Sequence, residues 1–245
     1  MKLRGIVLSV FSVIFVSLIM LMNGLNTMLM GSAYGDMIKL SNYDPTDMSL
    51  YYVMGEYYPP DNINTINIEW VGGRVEIISY DGDSYFVEES ATRQLREDER
   101  LSYQYEENTF SFFFVENDDV KITDAYKKLE IRVPRSIANN LKSININTDG
   151  EVVLKNLNCE NIEVKSGNGN IDCENVYATE TKLSSKEGDI SVGIASGVGY
   201  SMDFSSRGGK MNTYYDTKKH SYVVGEGEYS YKVKTGTGNL QVSAI

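Results

Sequence analysis

The chain contains a short repeat in which an apolar-alternating segment, a glycine turn and a second alternating segment recur about every 19 residues. In the clearest copy, Ile162 and Val164 precede a turn at Gly169, and Ile171 and Cys173 follow it. Apolar residues two positions apart lie on one face of a β-strand, so each segment predicts a strand with one buried face. Because so short a unit cannot bury its own apolar face, neighbouring copies are expected to stack.

Copies of this pattern extend along most of the chain, and each is marked by the glycine of its turn. The marking residues, predicted as structural turn glycines, are Gly73, Gly150, Gly169, Gly188, Gly209 and Gly238. Residues 214–227 interrupt the period, and the turn at Gly150 is one residue shorter than its neighbours. We expect these glycines to take positive φ where the chain reverses, since glycine does so without steric penalty.

The repeat predicts an all-β fold, with a β-solenoid or β-roll-like arrangement of period about 19 residues. The alternative is a β-sandwich, because strands separated by turn signals at roughly 8 to 12 residues also suit two packed antiparallel sheets. The C-terminal segment LQVSAI, residues 240–245, is predicted to end an exposed terminal coil that can pair with another chain. A hairpin is predicted near Asn108, and a second at Asp81 and Asp83, which flank Gly82.

The N-terminus predicts a membrane segment, because residues 5–35 contain no charged side chain and follow two basic residues. Their apolar part, residues 6–22, is close to the ~20 residues that a helix needs to cross a bilayer. We therefore expect residues 1–35 to form a signal anchor with a cytoplasmic N-terminus, residues 36–62 an extracytoplasmic linker and residues 63–245 the β-repeat domain. The alternative is a signal peptide cleaved near Ala33, which would release a secreted protein.

Several elements resemble the bacterial putative-adhesin family, a group of β-strand-repeat domains. The matching elements are the GG followed by VEI at residues 72–77, the LEIRVP strand that ends at Pro134, and the turns at Gly150, Gly169 and Gly188. The resemblance covers residues 63–245. It implies a β-repeat fold and a role in adhesion, and it brings no catalytic residues.

Signals for catalysis and for cofactors are weak. The chain has one histidine, His220, and lacks a nucleophile elbow, a zinc helix with paired histidines and a phosphate-binding glycine loop. A β-helical carbohydrate-active enzyme, the remote alternative, needs two acids at a defined separation. The positions directly after the turn glycines are instead mixed: Glu151, Asn170, Asp189, Lys210 and Asn239. We predict no enzyme activity, no cofactor and no metal site.

The net charge limits the classes of partner that the chain is expected to bind. A net charge of −11 and a pI near 4.7 argue against nucleic acid as a partner, because proteins bind it mainly through basic side chains.

Cys159 and Cys173 are interpreted as small buried thiols, although an exported domain could also form a disulfide.

The sequence therefore predicts a non-catalytic extracytoplasmic binding or structural module, adhesin-like and anchored in the cell membrane. Its expected partners are the membrane, through the N-terminal helix, an envelope protein or glycan, and further copies of itself. The alternative is an envelope-stress or regulatory membrane component that senses a peptide, glycan or protein.

Overall fold

The computed structural model describes residues 63–96, 99–114, 126–214 and 220–245 in full, together with the backbone of two earlier strands. The chain divides into two compact units, Met1–Ile38 and Lys39–Ile245, and the architecture below is that of the second. The predicted signal anchor, residues 1–35, lies outside the described residues. Within those described residues, no helix has the length and apolar content needed to span a membrane.

The described elements are almost all strands. In chain order they are β1 (Ile38–Lys39), β2 (Tyr51–Tyr57), β3 (Thr65–Trp70), β4 (Arg74–Tyr80), β5 (Tyr85–Ala91), β6 (Ser102–Glu106), β7 (Thr109–Phe114), β8 (Lys127–Pro134), the helix α1 (Arg135–Ala138), β9 (Leu141–Thr148), β10 (Glu151–Ser166), β11 (Ile171–Ser185), β12 (Ile190–Ile194), β13 (Tyr200–Ser206), β14 (Met211–Thr213), β15 (Ser221–Val224), β16 (Tyr229–Thr235) and β17 (Leu240–Ala244). The predicted all-β fold is confirmed.

A strand, its glycine turn and the next strand form one coil, and the coils pair side by side in two ladders. The first ladder contains the strands before the turns, in the order β6, β7, β3, β9, β10, β11, β16, β13, β15. The second contains the strands after the turns, in the order β2, β5, β8, β4, β10, β11, β12, β17, β14. The interior pairings are parallel, and antiparallel pairs occur only toward the ends.

The pairing register repeats the sequence period. Val152 pairs with Ile171, and Ile171 pairs with Ile190, so equivalent residues of these coils differ by 19 positions. Parallel pairing at this offset differs from the antiparallel sheets of the sandwich alternative. β10 and β11 each run from the second ladder into the first, bending at Asn156 and Asn175. These bends have φ of 55° and 52°, values that asparagine tolerates better than most residues.

The core lies between the two ladders and is built from stacked apolar rows. Strand alternation places every second side chain inside, and equivalent inward residues of neighbouring coils lie against each other. One such row in the first ladder is Ile68, Ile146, Val164, Leu183, Val233 and Phe204. Each member is at least 98% buried, and full burial of a side chain of this size stabilises the fold by about 1.5–3 kcal/mol.

The order of the coils in space differs from their order along the chain. Leu240 of β17 pairs with Ile190 on one side and with Met211 on the other, so the Gly238 coil lies between the Gly188 and Gly209 coils. The prediction that LQVSAI ends an exposed terminal coil was therefore wrong. A common period gives every coil a similar interface, and periodicity alone does not tell which coil is the neighbour.

One of the two predicted hairpins is present. β6 and β7 pair antiparallel around Asn108, with Glu107 at φ 53°, so that prediction is confirmed. The hairpin at Asp81 and Asp83 was wrong, because β4 and β5 lie on either side of β8 instead of pairing with each other. Asp81 instead forms an ion pair with Arg135, with its Oδ1 2.9 Å from the arginine Nε.

Part of the predicted linker joins the sheet. β2, within residues 36–62, pairs antiparallel with β5 along its full length, from Tyr51 opposite Ala91 to Tyr57 opposite Tyr85. This pairing attaches residues 51–57 of the predicted linker to the β-domain.

Candidate functional site

The six turn glycines lie in one continuous stack. A Cβ added at Gly169 would overlap the carbonyl oxygen of Gly150, and one at Gly238 would overlap that of Gly188. The same overlap occurs at every step, in the spatial order Gly73, Gly150, Gly169, Gly188, Gly238 and Gly209. These positions require glycine because neighbouring coils approach closely there.

The prediction that these glycines take positive φ was largely wrong. Of the six, only Gly73 has the expected positive φ, at 75°. The other five lie outside the left-handed region of φ, so a positive φ does not account for them. The close approach of backbone to backbone does.

Hydroxyl groups three residues before the glycines connect one turn to the next. The Ser185 Oγ accepts a hydrogen bond from the Gly188 N–H at 2.9 Å and donates one to the Gly169 oxygen at 3.0 Å. Ser166 makes the corresponding bonds one coil earlier, to Gly169 and Gly150. Sequence reasoning missed this ladder, although a hydroxyl recurs in that slot at Ser166, Ser185, Ser206 and Thr235. The turn glycines and their hydroxyls therefore hold coils together and offer no binding group.

The outward side chains of the first ladder form a groove, here called the lysine groove. It is lined by Glu163, Lys165, Lys182, Ser184, Asp203, Ser205, Lys232 and Lys234, together with backbone between them. Its two rows follow the strand register: Lys182 pairs with Lys232, and Ser184 with Lys234. The insertion of the Gly238 coil is what places Lys232 and Lys234 in this groove.

The charges of the lysine groove are partly compensated. Glu180, at its edge, bonds to the Nζ of Lys182 at 2.7 Å and of Lys232 at 2.5 Å, and these bonds hold the pKa of Glu180 down to about 2. Lys165 bonds to Glu163 at 2.6 Å. Lys234 is exposed and has no ion-pair partner among the described residues. The groove thus offers ammonium and hydroxyl donors that can bind carboxylate, sulfate or phosphate oxygens.

The outward face of the second ladder carries a different polar groove, which includes Asp172 and Asp189. Asn170 Oδ1 accepts a hydrogen bond from the Asp189 N–H at 2.8 Å, and Asp189 Oδ1 accepts one from the Asn239 N–H at 2.6 Å. The mixed row after the turn glycines is therefore used to bond coil to coil. Among the described residues, no group of three or more His, Cys, Asp or Glu side chains could hold a metal ion.

A buried ionic cluster lies where the end of β5 pairs antiparallel with the start of β8, with Ala91 opposite Lys127. Lys127 Nζ lies 2.6 Å from Glu89 Oε1, 2.5 Å from the Glu99 carbonyl oxygen and 3.3 Å from the centroid of the Phe114 ring. The Glu89 Oε1 also accepts the N–H of Leu101 at 2.8 Å. Lys127 and Glu89 are 2% and 1% exposed, so no substrate can reach them.

Burial and charge shift the pKa values in this cluster. Desolvation lowers the pKa of Lys127 to about 8 and raises that of Glu89. The Arg93 guanidinium, bonded to both oxygens of Glu99 at 2.8 and 2.9 Å, holds the pKa of Glu99 down to about 2. Sequence reasoning missed the cluster, since its members come from separate segments and show no spacing pattern. The backbone carbonyl of Lys127 packs against Gly73 and so closes one end of the glycine stack.

The remaining sequence candidates are not brought into a reactive arrangement. His220 is exposed, its ring lies 5.9 Å from that of Phe204, and its carbonyl accepts the Phe204 N–H. Cys159 and Cys173 are free and buried, which confirms their interpretation as buried thiols. Burial raises the pKa of Cys159 to about 12 and raises that of Cys173 as well, so both are poor nucleophiles.

Comparison with known families identifies this arrangement of coils. Residues 63–243 match the family described as Toastrack DUF4097. The chain belongs to the Toastrack DUF4097 family. The matched range lies within the predicted β-repeat domain, residues 63–245. No curated protein matches the chain.

Several solved structures are similar to this chain at low sequence identity. A putative cell adhesion protein from Clostridium sporogenes is 12% identical, with a TM-score of 0.64, and the match covers 80% of this chain and 100% of that one. A putative adhesin from Bacteroides fragilis is 13% identical, with a TM-score of 0.34 over 85% of this chain and 100% of that one. A putative lipid binding protein from Parabacteroides distasonis is 9% identical, with a TM-score of 0.29 over 79% and 96%. The first of these supports the toastrack-like fold, and the resemblance to putative adhesins found in the sequence is confirmed.

Proposed function

We propose that this protein is a non-catalytic, adhesin-like binding module of the cell envelope. In this proposal, a β-solenoid-like stack of coils presents the lysine groove as its contact surface. The observation that carries the proposal is the position of Lys182, Lys232 and Lys234 on neighbouring strands of a ladder whose backbone is fully paired at that point. Repeating folds of this type commonly bind through extended faces.

The groove suits an anionic group on an envelope glycan or protein. Lys234 has no ion-pair partner among the described residues, and Ser184 and Ser205 lie in the same row. A single ammonium group flanked by hydroxyls can bind one carboxylate or phosphate while the net charge of −11 keeps long polyanions away. The partner we favour therefore carries isolated anionic groups, unlike nucleic acid.

The absence of catalysis is part of the proposal. The described carboxylates with shifted pKa values are Glu89, Glu99, Glu130 and Glu180, and each is paired with a lysine or an arginine. This pairing differs from the pair of accessible acids that glycoside hydrolysis uses. His220 has no carboxylate partner among the described residues, which argues against an acid–base pair there.

We also propose an extracytoplasmic location, with residues 1–35 as a membrane anchor. The support is the uncharged segment 5–35 preceded by Lys2 and Arg4. Cleavage near Ala33 would give the same domain in secreted form. Protease accessibility on intact cells, followed by N-terminal sequencing of the mature chain, distinguishes the two.

Binding to isolated envelopes tests the function. Full-length protein in detergent would be incubated with envelope fragments from its own cells, comparing wild type with Lys182→Glu/Lys234→Glu. A matched control with the same charge change is Lys142→Glu/Lys186→Glu, since both lysines are exposed and outside the groove. The proposal predicts weaker binding for the groove variant alone, and equal binding by both variants would contradict it. Recovery of one membrane protein in place of glycan would favour the regulatory alternative.

A further inference from the structure

The outward face of the second ladder carries a row of polar side chains that do not bond coil to coil. The pairing register aligns one residue from each of four neighbouring strands, in the order Asp172, Ser191, Gln241 and Asn212. None of these side chains forms a hydrogen bond or an ion pair with another described residue. The row directly after the turn glycines differs, because its members bond to the next coil. The second ladder therefore leaves one polar row available to a ligand.

This row offers hydrogen-bond donors and acceptors at a regular interval. Neighbouring strands lie about 4.8 Å apart, so a carboxylate, a hydroxyl and two amides follow one another at that spacing. Each amide has an NH₂ donor group and a carbonyl acceptor, and the serine hydroxyl can both donate and accept. All four side chains border one cavity of about 370 Å³, so one ligand can reach the whole row.

An exposed aromatic ring lies next to the row. Tyr214 comes two residues after Asn212, and it is 73% exposed. Together with Ser243, it borders a second cavity of about 230 Å³. The two cavities are neighbours, since Gln241 lines the first and Ser243, two residues further along β17, lines the second. The face therefore combines a row of polar groups with the apolar surface of a tyrosine ring.

The charges of this face select against ionic ligands. Among the described residues that line the two cavities, none is a lysine, an arginine or a histidine. Asp172 and Asp189 repel anions, as does the net charge of −11. The described residues contain no group of three or more His, Cys, Asp or Glu side chains that could hold a metal ion. An uncharged ligand that is rich in hydroxyl groups fits this face best.

We propose that this surface, here called the amide face, binds a neutral oligosaccharide. Its residues are Asp172, Ser191, Gln241, Asn212, Ser243 and Tyr214. A sugar ring has hydroxyl groups at its edge and C–H groups on its face. The hydroxyls bond to the polar row, and the C–H face of one ring stacks on Tyr214. The amide face lies on the second ladder and the lysine groove on the first, so each can bind without the other.

Titration with uncharged oligosaccharides tests the proposal. Full-length protein, in a detergent without a sugar headgroup, would be titrated in a calorimeter with cellohexaose, maltohexaose, chitohexaose and mannohexaose. We expect at least one of these to bind, with an affinity that is the same at low and at high salt, because no ion pair is formed. Failure of all of them to bind would overturn the proposal.

Two variants place the binding on the amide face. Tyr214→Ala removes the stacking ring, and Asn212→Ala/Gln241→Ala removes both amides of the row. Each should weaken binding about tenfold or more, because an aromatic contact or a pair of hydrogen bonds is lost. All three side chains are exposed, so thermal unfolding should match wild type and separates loss of binding from loss of the fold.

Matched controls carry the same changes elsewhere. Tyr126→Ala removes another exposed tyrosine, and Asn158→Ala/Asn161→Ala removes two exposed amides on β10. Both controls should bind the oligosaccharide as wild type does. Equal affinity of the amide-face variants and these controls would overturn the proposal.

The lysine-groove variant separates this proposal from the proposed function. Lys182→Glu/Lys234→Glu should keep the affinity for the neutral oligosaccharide even where its binding to envelopes is lost. Loss of oligosaccharide binding in this variant, with the amide-face variants unaffected, would assign the sugar to the lysine groove and overturn the proposal.

Discussion

The coils of Gly150, Gly169 and Gly188 are held together differently from the buried cluster around Lys127. In the coils, the same glycine contact and the same serine bonds recur at each step. In the cluster, each contact is made once: Lys127 with Glu89, and Glu99 with Arg93. Recurrent contacts leave a period in the sequence, whereas single contacts leave none. The comparison also suggests different weaknesses, steric in the coils and electrostatic in the cluster.

The largest effect is expected from a methyl group in the glycine stack. Gly169→Ala should cost about 4 kcal/mol or more of the free energy of unfolding, because its Cβ would overlap the Gly150 carbonyl and the backbone cannot retreat. Urea unfolding of the full-length protein measures it. The matched control is Gly208→Ala, whose Cβ meets no atom within 4 Å and which should change stability by at most about 0.5 kcal/mol. Equal stability of the two variants would contradict the close contact between Gly169 and the Gly150 carbonyl.

A slightly smaller loss is expected when the buried ion pair is broken. Lys127→Met leaves the Glu89 carboxylate buried without its ammonium and should cost about 3–5 kcal/mol. The double variant Lys127→Met/Glu89→Gln should recover much of this, since the buried charge is gone and an acceptor for Leu101 remains. Lys165→Met at an exposed pair should cost less than about 1 kcal/mol. If Lys127→Met proved as mild as Lys165→Met in thermal unfolding, the two regions would not differ as described.

Removing one recurrent hydroxyl should have a moderate effect. Ser185→Ala leaves the Gly188 N–H and the Gly169 oxygen without this partner, and we expect a loss of about 1–3 kcal/mol. The control is Ser191→Ala, at an outward position on β12, which should change the free energy of unfolding by at most about 0.5 kcal/mol. Chemical unfolding of both variants measures the loss in free energy of unfolding. Similar losses in the two variants would show that the Ser185 hydroxyl does not stabilise the contact between coils.

The last effect depends on pH and is lost in the acid range. The folded pKa of Glu99, about 2, lies below its ordinary value of 4.5, so its contribution is fully present above pH 4.5 and is lost as pH falls towards 2. Glu99→Gln should therefore be less stable than wild type at pH 7, with a difference that shrinks between pH 4.5 and 2. Melting temperatures across this range report the difference. A gap that stayed constant would show that the charge of Glu99 does not stabilise the fold.

The sequence allowed the repeat, the register and much of the core to be predicted. The interval from Gly150 to Gly169 to Gly188 is the pairing offset in the structure, and the alternating residues Val164 and Leu183 lie in the core as expected. These features are local or periodic, so a single sequence contains them. The hairpin at Asn108 was predictable for the same reason.

The features that were missed depend on which segments meet in space. Leu240 and Met211 occupy equivalent slots in their coils, and nothing in either coil indicates which one lies next to Ile190. The lysine groove depends on that order, because Lys232 lies beside Lys182 only through the insertion of the Gly238 coil. The pairing of Glu89 with Lys127 likewise follows from the position of β5 along β8.

Two engineered disulfides in the second ladder test the order of the coils. Ser191 and Gln241 are paired in the structure, whereas Ser191 and Asn212 lie two strands apart, at roughly 9.6 Å, beyond the reach of a disulfide. The account predicts that Ser191→Cys/Gln241→Cys forms the bond on mild oxidation and that Ser191→Cys/Asn212→Cys does not, as read by mass spectrometry of tryptic peptides. A bond between positions 191 and 212, with none between 191 and 241, would show that the coils stack in chain order. It would contradict the position of the Gly238 coil between the Gly188 and Gly209 coils.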